Sequence, residues 1–368
     1  MFIKAQHHNS HLGSSHPSGM DTDLFKSMLA LDSTSGQERT LAEQLAGQLG
    51  ERSTCSVQAF EVGDGTLNLL LTWGSTPQVV FCTHLDTVPP FIAPRFEPLP
   101  NGDLKVNGRG SCDAKGQIFA MFSACQALER EGLTGFGLLL LAGEETGSHG
   151  AKAYARHGRG AKYVVVGEPT GNKMVKASKG TKAFNITIEG KRCHSGYPEQ
   201  GDSAIERFVD FVNQLRAIPF PADEVTGATT YNIGQLQSDN PQNVLSDNVQ
   251  FKLYFRTTQA SDAQVVQAME KLQSECIHIE ALGGDTPMSY LTLDGFETTT
   301  VAFGSDAPRL DNFECRMLCG PGSILVAHQD CEHVLMSELE QARDQYVAIF
   351  KRLTLQDKKH QTGKNRTQ

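Results

Sequence analysis

Three short runs in the first half of the chain are apolar at nearly every position: Gln78–Thr83 (QVVFCT), Phe136–Ala142 (FGLLLLA) and Tyr163–Gly167 (YVVVG). Runs of this length without polar alternation predict strands buried on both faces. Between them lie segments with helical spacing. In Lys115–Glu131, Ile118, Met121, Phe122, Cys125 and Leu128 recur on one face, and Asp21–Leu49 reads as helical with a break near Ser33–Gly36. Ala151–Arg156 is a further short helix. Strand and helix in alternation, with wholly apolar strands, imply an α/β fold: a mostly parallel sheet with helices on both faces.

The pattern changes near Lys179. Lys182–Glu189 (KAFNITIE) and Val249–Thr257 alternate apolar and polar residues, as strands with one exposed face do. Helical segments follow at Gly201–Ala217 and Ala260–Ser274, and a further strand at Cys276–Ala281. Two strand–helix–strand units with one polar sheet face predict a separate, inserted α+β domain of ferredoxin-like form at 179–287. The main domain then comprises 20–178 and 288–355. Residues 1–19 are polar, with four histidines among Ser, Asn and Gly, and read as a disordered extension. The segment 356–368 reads as a disordered polar tail.

Composition narrows the function. The chain has 368 residues and a net charge of −9, which argues against a nucleic-acid or anionic-membrane partner, since both require a basic face. No stretch approaches the roughly 20 apolar residues of a membrane span. The nine cysteines are scattered, with no Cys-x-x-Cys pair. That pattern predicts reduced thiols in a cytoplasmic protein.

The candidate chemistry sits where the apolar strands end. The first runs into His84-Leu85-Asp86, the second into Gly143-Glu144-Glu145 and the third into Gly167-Glu168. Asp113 directly precedes the long helix, and His328 follows the apolar run Ile324–Ala327. In open α/β sheets ligands bind outside the carboxyl ends of the strands. Two imidazoles with several carboxylates suit zinc or a similar borderline cation. Two such ions need a bridging carboxylate and terminal ligands. His84, Asp113, Glu145, Glu168 and His328 supply that count, with Asp113 placed as the bridge. Glu144 is left over as general base. Asp86, two residues beyond His84, is placed to hold the imidazole's second N–H.

These segments carry a resemblance. His84-Leu85-Asp86-Thr87-Val88-Pro89, Gly108–Gly116, Gly143-Glu144-Glu145, Gly167-Glu168-Pro169-Thr170 and Gly320-Pro321-Gly322…Ala327-His328 resemble, in order, the motifs of the zinc exopeptidase and deacylase family. That family includes acetylornithine deacetylase, succinyl-diaminopimelate desuccinylase, aminoacylase and glutamate carboxypeptidase. The resemblance implies two Zn²⁺, with Co²⁺ or Mn²⁺ as possible substitutes. His84 and Glu168 would hold one ion, Glu145 and His328 the other, and Asp113 both. It also implies that the inserted domain is a lid and the contact surface of a homodimer. His194, in Cys193-His194-Ser195-Gly196, would stabilise the oxyanion across the dimer. Asn243 and Arg256 would contact the intermediate and the substrate carboxylate. Ala114 departs from the usual Met after the bridging Asp.

The expected activity is hydrolysis of an amide bond in an N-acyl amino acid or short peptide. Gly304-Ser305-Asp306-Ala307-Pro308 and Gly320–Ile324 resemble the acetylornithine deacetylase branch, with Asp306 facing a basic side chain. The expectation is therefore deacetylation of an N-acetylornithine-like substrate. A dipeptidase or carboxypeptidase is the nearest rival, and a non-catalytic binding protein on the same fold a remote one.

Overall fold

The computed structural model describes residues 19–364, with side chains through Leu355. The expected N-terminal extension therefore lies, apart from Gly19, outside the described residues. The chain divides into two compact units. One comprises the residues through Lys176, Tyr290–Thr299 and those from Ser305 onward; the other comprises Ala177–Ser289 and Thr300–Gly304.

The first unit opens with helices α1 (Thr22–Leu29) and α2 (Arg39–Glu51), then strands β1 (Ser56–Glu61), β2 (Leu67–Trp73), β3 (Val79–His84), β4 (Arg95–Pro98) and β5 (Leu104–Asn107). Helix α3 (Lys115–Arg130), strand β6 (Phe136–Leu141), helix α4 (His149–His157) and strand β7 (Tyr163–Val166) follow, before β8 (Met174–Ser178) carries the chain to the second unit. That unit contains β9 (Gly180–Glu189), α5 (Ala204–Ala217), β10 (Thr230–Gln237), β11 (Asn248–Thr257), α6 (Asp262–Leu272), β12 (Ile277–Gly283) and β13 (Met288–Ser289). Strand β14 (Thr298–Val301) lies on the return path. Strands β15 (Cys315–Leu318) and β16 (His333–Leu335) and helix α7 (Met336–Lys364) complete the first unit.

The main sheet has the order β1-β2-β6-β3-β7-β15. Strands β6, β3, β7 and β15 are mutually parallel. Two antiparallel strands extend the expected parallel sheet: β2 pairs with β6, and β1 with β2. All positions of β3, β6 and β7 are buried, and their alternate residues serve two layers. Val79, Phe81, Phe136, Leu138, Leu140, Tyr163 and Val165 join one core with α1, α2, α3 and α7. Phe25 of α1 stacks on Phe119 of α3 at 4.7 Å, and Trp73 on Phe136 at 4.9 Å. Helix α4 covers the opposite face. Asn68, which alternates with the core residues Leu67, Leu69 and Leu71, donates from Nδ2 to the Gly150 carbonyl at 2.8 Å. Only glycine fits there, because a Cβ at residue 150 would lie 2.4 Å from Asn68 Oδ1.

The second unit is a four-stranded antiparallel sheet of order β10-β11-β9-β12. Its alternation is regular: Val249, Phe251, Leu253 and Phe255 of β11 are buried while Gln250, Lys252 and Tyr254 are exposed. The buried face packs with Ala204, Phe211 and Leu215 of α5 and Val265 and Met269 of α6.

One further finding modifies the sequence expectation. Helix α7 continues to Lys364, so the segment from 356, expected to be disordered, is helical as far as that residue. Among the described residues, no helix is long and apolar enough to cross a membrane.

Candidate metal centre

Strands β3, β6 and β7 point the same way in register, with His84 opposite Leu141 and Cys82 opposite Val166. Their carboxyl ends therefore deliver His84, Glu144-Glu145 and Glu168 to one edge of the sheet. Asp113 comes from the loop before α3; its peptide bond to Ala114 is cis. His328 comes from the turns that follow Ser323, and has the left-handed φ of +65°. A histidine tolerates that conformation better than most residues do.

Four of the five expected ligands are in direct contact. His84 Nε2 lies 3.0 Å from Asp113 Oδ1, and His328 Nε2 lies 3.4 Å from Asp113 Oδ2 and 2.9 Å from Glu145 Oε1. Asp113 thus faces both imidazoles, one through each oxygen. One ligand atom each of His84, Asp113 and Glu145 falls within a 4.8 Å set. Glu168 is the fifth; it is buried, its Oε1 has no hydrogen-bond partner, and its charge acts on the same group of residues.

The charges show what the cluster lacks. Burial would raise the Asp113 carboxyl, but His328 and His84 hold it far below the ordinary range. Burial pushes Glu144 and Glu168 well above it. For Glu144, His84 works against that rise while Asp306 and Glu145 add to it; for Glu168, the Asp113 and Glu144 charges add to it. Burial alone would lower His84, yet Asp113 and Asp86 leave it well above the usual histidine value. His328 is pushed up to about 10 by Asp113 and Glu145. Carboxylates gathered at one buried point, with an orphaned Glu168 oxygen, are short of positive charge. The donor set of imidazole nitrogens and carboxylate oxygens fits zinc and neighbouring divalent ions.

Asp86 is fully buried, but it does not hold His84 in the expected way. His84 Nδ1 makes its 2.9 Å contact with the Asp86 carbonyl, while the carboxylate is 3.4 Å away. The carboxylate instead accepts from the Glu144 N–H at 3.0 Å, the Glu145 N–H at 3.2 Å and the Ser35 hydroxyl at 2.7 Å. It orders the main chain that carries the base candidate and one of the expected ligands.

The remaining expected residues are distributed as follows. Asp306 is in the first unit, buried, just before the 3₁₀ turn Ala307–Arg309. His194, Asn243 and Arg256 belong to the second unit. His194 is exposed and accepts the Gly196 N–H at Nδ1. It forms an isolated bridge with Val244, and the Asn243 carbonyl accepts the Ser195 N–H, so the two segments are neighbours. Arg256 stacks on the Tyr254 ring, 4.9 Å from its centroid. Two residues at the centre were not anticipated. Ser35 and Glu332 both bind the scaffold of the ligand loops, and each stands in a polar stretch with no motif of its own.

Comparison with known proteins bears on the family and the fold. The family model described as peptidase family M20/M25/M40 matches residues 80–352. A probable carboxypeptidase of Aspergillus clavatus is 30% identical over 369 residues, covering 91% of this chain and 89% of its own. A tripeptidase from Staphylococcus aureus superposes with a TM-score of 0.73 at 19% identity, covering 89% of this chain and 95% of its own. The YXEP protein of Bacillus subtilis, described as a dinuclear metal-binding peptidase of the M20 family, superposes with a TM-score of 0.64 at 13% identity, covering 89% and 96%.

Proposed function

The chain belongs to peptidase family M20/M25/M40, and on that premise we propose that it is a two-cation peptidase cleaving the amide bond next to a free carboxylate, as a carboxypeptidase or dipeptidase does. The observation that carries this reading is the meeting of His84, Asp113, Glu145 and His328 at the sheet edge, with Glu144 beside them on a main chain held by Asp86.

In this reading His84, Asp113, Glu145, Glu168 and His328 would together hold the two cations, with Asp113, which faces both imidazoles, shared between them. A bound pair of divalent ions, zinc or else cobalt or manganese, would lower the pKa of water toward neutrality. Glu144 takes the proton from the attacking water and returns it to the leaving amine. His194 donates to the developing oxyanion, Asn243 contacts the intermediate, and Arg256 grips the substrate carboxylate through its planar fork. The second unit acts as lid and as the contact surface of a homodimer. Ile205, Val209 and Leu236, exposed by 39%, 45% and 52%, support a protein surface there, and light scattering of the purified chain would report its mass. The nine free cysteines support a reducing, cytoplasmic setting.

The rival substrate is N-acetylornithine or a similar N-acyl amino acid, for which Asp306 would receive the basic side chain. Asp306 is only 1% exposed and adds its charge to Glu144 and Glu168, so it fits the buried acidic group better than a substrate contact. That the chain's relatives include a probable carboxypeptidase and a tripeptidase also supports a peptide substrate. The deciding experiment compares dipeptides, their C-terminal amides and N-acetylornithine on cation-loaded protein. Free-carboxylate dipeptides should be cut fastest and their amides poorly. Faster release of acetate from N-acetylornithine would favour the deacylase instead.

A further inference from the structure

We propose that Glu332, paired with Arg109, is a positioning residue that locks the loop of the bridging Asp113 to the loop of His328, and so sets the geometry in which two cations are held. The proposal rests on the two-cation reading of the centre.

Glu332 is 1% exposed and uses both oxygens. Oε1 accepts three main-chain N–H groups: Gly110 at 2.9 Å, Cys112 at 3.1 Å and Asp113 itself at 3.1 Å. Three donors from one loop converging on one carboxylate oxygen form an anion-binding nest, here occupied by a residue of the protein. Oε2 takes the Arg109 guanidinium at 2.5 Å. Arg109 is equally buried, and donates onward to the carbonyls of Gln329 and Pro90, each at 3.3 Å. Gln329 adjoins His328, and the Glu332 N–H closes that loop on the Gln329 carbonyl at 3.2 Å. One buried ion pair therefore ties the main chain of Asp113 to the main chain beside His328. These are the two residues whose side chains lie 3.4 Å apart at the centre. Nothing else about a buried pair requires this placement; an ion pair kept only for stability gains little over apolar packing. Outer contacts that orient ligands typically change metal affinity by about ten- to a hundredfold when removed.

The test is a zinc titration of the metal-free protein by competition with a chelator, beside the visible spectrum of its Co²⁺ form and a thermal melt without metal. Glu332→Gln keeps the volume and one acceptor oxygen but sets an amide N–H₂ against Arg109 or the nest. It should weaken the weaker-bound cation by roughly ten- to a hundredfold and shift the Co²⁺ bands, at temperatures where the metal-free variant is still folded. Arg109→Lys keeps the charge but loses the fork to Gln329, and serves if Glu332→Gln does not fold; a smaller loss of the same cation is expected. Wild-type affinities and an unchanged Co²⁺ spectrum in a folded variant, with only the melt lowered, would overturn the proposal. If the wild-type chain binds no pair of cations at all, the two-cation reading falls and takes the proposal with it.

Discussion

Replacing Asp86 by Asn tests whether the centre depends on an ordered main chain as much as on its ligands. The Asp86 carboxylate receives Glu144 N–H at Oδ1, and Glu145 N–H and the Ser35 hydroxyl at Oδ2. An amide has one acceptor oxygen. Turned toward Glu144 it opposes its NH₂ to the Glu145 N–H; turned the other way it opposes the Glu144 N–H. In either pose one buried main-chain donor loses its partner, a cost of about 1–3 kcal/mol, and the surviving bonds lose their charge assistance, which brings the total to roughly 2–5 kcal/mol. Part of that strain will be relieved by moving the 144–145 segment. A shift of about 1 Å at a reacting group is enough for roughly a hundredfold loss of rate. Asp86→Asn should therefore lower kcat by about ten- to a hundredfold with a smaller change in KM, and lower the melting temperature of the metal-free protein. Steady-state kinetics on a free-carboxylate dipeptide and a thermal melt measure both. A variant that is destabilised as expected yet turns over at the wild-type rate would refute the argument that Asp86 places the base.

Glu144→Ala should retain both cations by elemental analysis while turnover falls by about 10²–10⁴, the usual worth of a general base; joint loss of metal and rate would instead make Glu144 a ligand. In the metal-free protein His328 is raised from 6.5 to about 10 by Asp113 and Glu145. Its contribution to stability is thus fully present below pH 6.5 and lost as pH rises through about 10. Cations compete for the same position, so their affinity should climb across that window and binding should release protons. Calorimetry in buffers of different ionisation enthalpy counts them, and a pH-independent affinity would contradict the assignment. Gly116→Ala would put a Cβ 2.2 Å from the Ser111 carbonyl, within the loop that carries Asp113. A destabilisation of about 1–3 kcal/mol should appear in urea unfolding, and none if the first turn of α3 can yield.

The parts of the fold that were legible in the sequence are those where burial dictates composition. β3, β6 and β7 are apolar because both of their faces are covered, and β9 and β11 alternate because one face is not. β1 escaped notice because its residues are only partly buried. Helix α7 was missed although Leu339, Ala342, Tyr346, Ile349 and Leu353 carry the helical period and are buried; charged residues between them dilute the signal. At the candidate centre, each expected ligand alone is a weak signal, and only the placement of strand ends at one sheet edge brings the set together. The Asp86 contacts were half legible. Two-residue spacing put Asp86 behind His84, but the carbonyl, not the carboxylate, meets Nδ1. Spacing cannot distinguish those two oxygens, because the choice depends on which N–H groups β6 brings alongside. Glu332 had no local signal, since its partners lie 219 to 223 residues away in the chain.

The two outer carboxylates have complementary tasks. Asp86 receives the N–H of Glu145, and Glu332 the N–H of Asp113; each fixes a proposed ligand by that residue's main chain rather than by its side chain. His84 is fixed through Nδ1 to the Asp86 carbonyl, and His328 through the loop that Arg109 and Glu332 close. Glu168 stands apart from this bracing: its Oε1 is buried without a partner. The four proposed ligands are therefore held in place by contacts that need no cation, against the mutual repulsion of their carboxylates. On the proposed reading, binding energy at the centre would then not be consumed in assembling those four, and a cation would supply the buried Glu168 oxygen with its missing partner.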